Sequence, residues 1–136
     1  MKVYQRGDTY IAPKGSFFDG NIYIPGNFIV PAETHIWGRL DVDGCLELGP
    51  LSTVGDDVTC GSGVIGPGVR IKGVLSSAGT LTISDRAEIH GVNAQGDIIL
   101  RPGADVGEVR SEATIYVYGK IASTKLTGKN VKVMGN

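Results

Sequence analysis

The stretch AEIHGVNAQGDIIL, residues 87–100, decides the fold, because its apolar residues have apolar counterparts at one fixed distance in both directions. Seventeen residues before and after Val92 stand Leu75 and Val109; Ile98 is flanked in the same way by Leu81 and Ile115, and Leu100 by Ile83 and Val117. Followed outward, the first ladder runs Ile22, Leu40, Val58, Leu75, Val92, Val109, Leu126, in steps of 18, 18, 17, 17, 17 and 17. A repeat held through seven turns is the signature of a solenoid. A second ladder runs Phe28, Leu46, Val64, Leu81, Ile98, Ile115, Val131, and a neighbour two residues on runs Val30, Leu48, Gly66, Ile83, Leu100, Val117, Val133. Residues two apart share a face only in a strand, so these are short strands with alternate side chains turned inward.

A third ladder, Ile36, Val54, Ile71, Ile89, Val106 and Ile121, gives each coil three faces. The punctuation falls at three corners: Gly20, Gly38, Asp56, Gly73 and Gly91; Gly26, Gly44, Ser62, Gly79 and Gly96; Pro31, Pro50, Pro67, Asp85 and Pro102. Gly and Asp tolerate tight turns, and Pro lacks the donor that a paired strand needs. The column beside the first ladder, Ile24, Val42, Cys60, Ser77, Ala94, Ser111, Gly128, shrinks along the chain. The expectation is an all-β, single-domain parallel β-helix of triangular cross-section, with about seven coils of 17–18 residues over residues 20–136. Right-handed winding follows from the preference of parallel crossovers. Residues 1–19 are expected as an N-terminal segment, disordered or capping, whose Tyr10, Ile11, Phe17 and Phe18 fold over the first coil.

Composition agrees. Among 136 residues there are 21 Gly and only 7% aromatics, which suits a chain that turns often and argues against a helical bundle. A formal net charge of -1 supplies no basic field for nucleic acid. No apolar run is long enough for a membrane helix, and residues 1–20 lack the apolar block of a signal peptide, so a cytoplasmic location is expected.

No catalytic, cofactor or metal site is expected. His35 and His90 adjoin the inward Ile36 and Ile89 and so face outward, in different columns, with no acid, Ser or Cys placed to use them. Cys45 faces out and Cys60 in, a poor disulfide pair that fits a reducing compartment. Asp41, Asp43, Glu47, Asp56 and Asp57 gather on the early coils as a solvated acidic face rather than a calcium site.

The ends carry the functional expectation. A coil ordered alone costs more entropy than its few inward side chains return, so stability comes from stacking, and a terminal coil has one neighbour only. The last ladder residue, Val133, lies three positions from Asn136, leaving no lid for an edge that can template another chain. The expected polymerisation surface is Leu126, Val131, Val133 and Met134 at the C-terminal coil. Phe17, Phe18, Ile22, Ile24 and Phe28 are expected to pair or cap at the other end. Lys120, Lys125, Lys129 and Lys132 make the late coils basic. They serve as edge protection, meet the acidic early coils of a second filament, or touch anionic lipid, which flotation with and without anionic vesicles separates.

Gly96-Asp97-Ile98, Gly91-Val92-Asn93-Ala94 before it, and the alternation Ala87-Glu88-Ile89-His90-Gly91 resemble bactofilins, the polymer-forming cytoskeletal proteins; the resemblance covers about residues 22–133. It implies a right-handed triangular β-helix that assembles end to end, without nucleotide, into cytoplasmic filaments. Such filaments scaffold cell shape or recruited client proteins. Two further resemblances point elsewhere. Thr114 to Ile121 is similar to the C-terminal β-helix of septum-site-determining division inhibitors, which implies a dimerising binding module, although coils that begin near Gly20 leave no room for the separate N-terminal domain of those inhibitors. Val64 to Ile71 resembles the hexapeptide repeat of left-handed β-helix acyltransferases, but the other coils do not keep the hexad rule.

Overall fold

A chain that turns an apolar residue inward at every second position satisfies its backbone by pairing each short strand with its equivalent one coil away. The computed structural model, which describes residues 3–135, is built in this way: an all-β parallel solenoid of about seven coils, with no helix among the described residues. The strands form three columns. On the first face, strands stack in parallel from Thr9–Ile11 through Asn27–Val30, Cys45–Leu48, Ser62–Ile65, Leu81–Ile83, Ile98–Leu100 and Thr114–Tyr118 to Asn130–Gly135. The second face begins with Phe17–Phe18, His35–Ile36 and Thr53–Val54, and the third with Ile22–Ile24, Leu40–Val42 and Val58–Cys60. From the fourth coil on, single strands cross from the second face to the third: Arg70–Ser77, Glu88–Ala94 and Asp105–Ser111.

The inward columns merge into one core, in which Phe28, Leu40, Leu46, Leu75, Leu81 and Ile98 are wholly buried. The shrinking column holds as read: Cys60, Ser77, Ala94 and Ser111 are in register and buried.

Four sequence expectations need correction. On the first face the step into the fourth coil is shorter by a single position than the ladders assumed, so Gly63 and Ile65, not Val64 and Gly66, continue the inward columns. Val64 is half exposed and Ile65 fully buried, because a slip of one position exchanges the two faces of a strand. The same slip puts Gly61, not Ser62, at the glycine corner, where the N–H groups of Gly44, Gly61 and Gly79 donate to the carbonyls of Gly26, Gly44 and Gly61. Ile121 belongs one column aside, since the bridge from Asp105 to Ala122 sets it beside Ala104. Pro31 sits one place before the proline column, whose position in that coil Ala32 takes: the left-handed residues that follow it are Glu33, Leu51, Gly68, Arg86 and Gly103. The N–H of Glu33, Leu51 and Arg86 reaches the carbonyl of Pro50, Pro67 and Pro102 in the next coil.

The fourth correction concerns the start. Residues 9–18 are not a lid laid over the first coil; they are a coil. Tyr10 pairs with Phe28 and Phe18 with Ile36, its counterpart one coil on, and Ala12 is buried in the same core. Among the described residues only Tyr4–Arg6 covers an edge, folding back antiparallel on Thr9–Ile11. One inward column had no counterpart in the apolar ladders: Ser16, Thr34 and Ser52, continued by Val69, Ala87 and Ala104, all buried. Two of its hydroxyls are satisfied, Thr34 and Ser52 both donating to the Pro31 carbonyl at 2.9 and 3.0 Å, whereas Ser16 Oγ is buried with no partner among the described residues.

The glycine corner is tight for a reason that a substitution exposes. A Cβ on Gly96 would come 2.6 Å from the carbonyl carbon of Gly79, a backbone atom of the coil before it. Gly96→Ala must therefore push two coils apart, and a loss of about 2 kcal/mol is expected, within the range for overpacking. A urea midpoint equal to that of the wild type would show that the corner relaxes freely.

Candidate functional site: the two ends and the outer faces

The last strand, Asn130–Gly135, has a parallel partner on one side, Thr114–Tyr118, and none of the described residues covers the other. The contrast between consecutive coils is plain. Ile115 and Val117, with coils above and below, are 0% and 5% exposed; Val131 and Val133, paired to them in register, are 42% and 75% exposed. Met134 is exposed as well, and Leu126 is half-buried on the strand that ends the third face. The four residues expected at this end are thus brought together on the terminal coil.

The other end is different. Phe17 is exposed and Phe18 and Ile22 are partly buried, but Ile24 and Phe28 lie inside the core, Phe28 with Tyr10 stacked next to it. These two cannot touch a neighbouring molecule without displacing the first coil. Tyr4, Tyr23 and Trp37, which sequence reasoning did not select, are the large exposed apolar side chains near this end. Their outward positions carry no periodic signal.

On the second face, Phe17 and Trp37 pack with ring centroids 5.6 Å apart beside a shallow groove of about 520 Å³ that His35, Arg70 and Lys72 also line. His35 faces outward as read, its Nδ1 2.7 Å from Thr53 Oγ1, and His90 is exposed further along the face. Arg70 is held by Glu88 at 2.8 Å. The third face is polar: Thr59 and Arg39 both bind the Asp41 carboxylate, and the Tyr23 hydroxyl donates to Asp43. That hydrogen bond is the main reason the Tyr23 phenol is held above its ordinary range. Among the described residues no cluster of three or more His, Cys, Asp or Glu is gathered for a metal ion.

Both thiols are free, and they differ in reactivity. Cys45 is exposed, with Ser62 Oγ 3.0 Å away, whereas burial pushes the Cys60 thiol up to about 11. Only the thiolate attacks, so at pH 8 one thiol per native chain should react rapidly with a disulfide reagent and the second only on unfolding. Two fast thiols would mean that the third-face interior is open.

No helix among the described residues is long and apolar enough to cross a membrane. The fold defines a parallel β-solenoid whose last described strand presents an apolar edge that none of the described residues pairs. Comparison with protein-family models, with curated proteins and with solved structures gives no match.

Proposed function

We propose that the chain is a structural protein that self-assembles end to end, without nucleotide, into cytoplasmic filaments or scaffolds of the kind its resemblance to bactofilins implies. The observation that carries this reading is the strand Asn130–Gly135, whose inward-column residues Val131 and Val133 are exposed, with none of the described residues stacked on them. A second copy stacked there extends the same ladder, exchanging water for the packing that every interior coil already has. The opposite end contributes exposed Tyr4, Phe17 and Tyr23. Negative-stain microscopy of the purified protein without nucleotide tests the reading: filaments are expected, and discrete particles at all concentrations would overturn it.

A solenoid binding module is the second reading, favoured by the groove beside Phe17 and Trp37, where exposed aromatic side chains stand next to Arg70 and Lys72. Trp and Arg are enriched where proteins bind proteins. On that reading the chain is a small oligomer that recruits clients through its second face.

A further inference from the structure

The outer side of the first face carries one column with a single acidic and a single basic residue. In register, coil after coil, it reads Ile11, Ile29, Glu47, Val64, Thr82, Ile99, Tyr116, Lys132. Its one carboxylate, Glu47, and its one ammonium, Lys132, bracket four uncharged side chains, and Ile29 and Ile11 lie beyond Glu47. Val64 is half exposed, Glu47 and Lys132 are exposed, and Lys132 Nζ lies 5.8 Å from the centre of the Tyr116 ring. The other two faces do not offer this. On the third, Asp41 is already taken by Arg39 and Thr59; on the second, Arg70 is taken by Glu88 within its own column.

Read backwards, the stretch from Glu47 to Lys132 complements itself, and Ile29 and Ile11 lie beyond the overlap. A two-fold axis lying in the contact plane, parallel to the strands and midway between Thr82 and Ile99, sets Thr82 against Ile99, Val64 against Tyr116 and Glu47 against Lys132. The same operation brings Thr80 of one copy opposite Asp97 of the other, a hydroxyl donor facing an acceptor. Shape agrees with charge. A shallow groove of about 470 Å³, lined by Cys45, Glu47, Ser62, Val64 and Thr82 among others, lies at the coils where the opposing Tyr116 ring arrives. Each copy offers one groove and one ring, as an isologous contact requires.

We infer that the first face is a lateral docking surface for a second copy of this chain, running antiparallel to the first. Six coils at about 4.8 Å and strands of about 13 Å give a footprint of roughly 400 Å² per copy. That is about half the area of a standard stable interface, so the pair is weak alone and strong where it repeats along an assembly. The contact does not require the end-to-end one: without filaments it forms a discrete dimer, and with them it joins neighbours side by side.

Charge exchange at the two charged residues of the column tests it, read by sedimentation velocity over a concentration series and by microscopy of lateral pairing. Glu47→Lys alone and Lys132→Glu alone each set like charges together at two symmetric places, and about a tenfold weakening of lateral association is expected. The double variant E47K/K132E restores opposite charges and should return association to within a few fold of the wild type. Rescue by the double exchange supports the antiparallel register. A double variant no stronger than the singles, singles no weaker than the wild type, or a wild type that stays monomeric and never pairs laterally overturns it; the last outcome would leave the face to another protein's sheet. Glu47 lies far from the terminal strand, so the E47K variant should keep end-to-end filaments of unchanged length, which separates failure here from failure of the filament reading.

Discussion

Changing Val131 and Val133 together to aspartate abolishes filaments and leaves the coils folded: that is the expected result at the C-terminal end. The two residues continue columns in which Ile115 and Val117 are 0% and 5% exposed, and they differ from those in having one described coil beside them instead of two. Covering them with a second copy removes apolar surface worth about 1.5 to 3 kcal/mol for each side chain fully buried. Aspartate forfeits that gain and adds the cost of desolvating a carboxylate against the partner. A loss above about 3 kcal/mol raises the critical concentration by more than a hundredfold, which takes assembly out of an ordinary working range. Folding of the single chain should change little, because Val131 and Val133 are 42% and 75% exposed before any assembly. Circular dichroism and the thermal midpoint provide the control. Filaments that persist in a well-folded double variant would place the growing contact elsewhere, and the open edge would lose its role.

What the sequence disclosed and what it hid have physical causes. The third-face ladder from Ile22 to Leu126 was legible throughout, because a buried position beside a close-packed neighbour accepts little but an aliphatic side chain and so keeps its period. The column of Ser16, Thr34 and Ser52 was hidden, since its residues are not apolar: Thr34 and Ser52 find a backbone acceptor at the corner, and Ser16 Oγ is buried with no partner among the described residues. The first coil was disguised in the same manner. Tyr10 stands one full coil before Phe28, and Phe18 one full coil before Ile36, so the repeat was present, but Lys14, Gly15 and Ser16 interrupt its apolar character. That Leu126, Val131, Val133 and Met134 fall on the last two strands was legible from the count of coils alone. The antiparallel column on the first face was not, because outward side chains obey no burial period and Glu47 falls into line with Lys132 only after every intervening register is known.

The fourth coil is where sequence and structure part, and it supplies the second large effect. Carrying the longer step of the early coils forward from Leu46 places Val64 inside; the observed register Gly63 to Leu81, Val64 to Thr82 and Ile65 to Ile83 places Ile65 there instead. Ile65→Asp therefore buries a carboxylate where the native side chain is 0% exposed, among Leu48, Ile83 and the rest of an apolar column. An unpaired buried charge costs more than about 4 kcal/mol, and in a solenoid it also removes the stacking partner of the coils on either side. The chain should lose its cooperative thermal transition or show it far below the wild-type midpoint. Val64→Asp puts the same group on a site 49% exposed to solvent, where a change within about 1 kcal/mol is expected in dilute protein. The glycine just before Val64 explains why the chain accepts the shorter step: a Cβ at Gly63 would already meet Leu81 Cδ2 at 3.2 Å and Cys60 Sγ at 3.3 Å, so the interior is filled from the neighbouring columns. The two aspartates thus read the register directly. Should Val64→Asp unfold the chain and Ile65→Asp leave it intact, the fourth coil would have to be wound by the longer step, and with it would go Val64's place on the outer column opposite Tyr116.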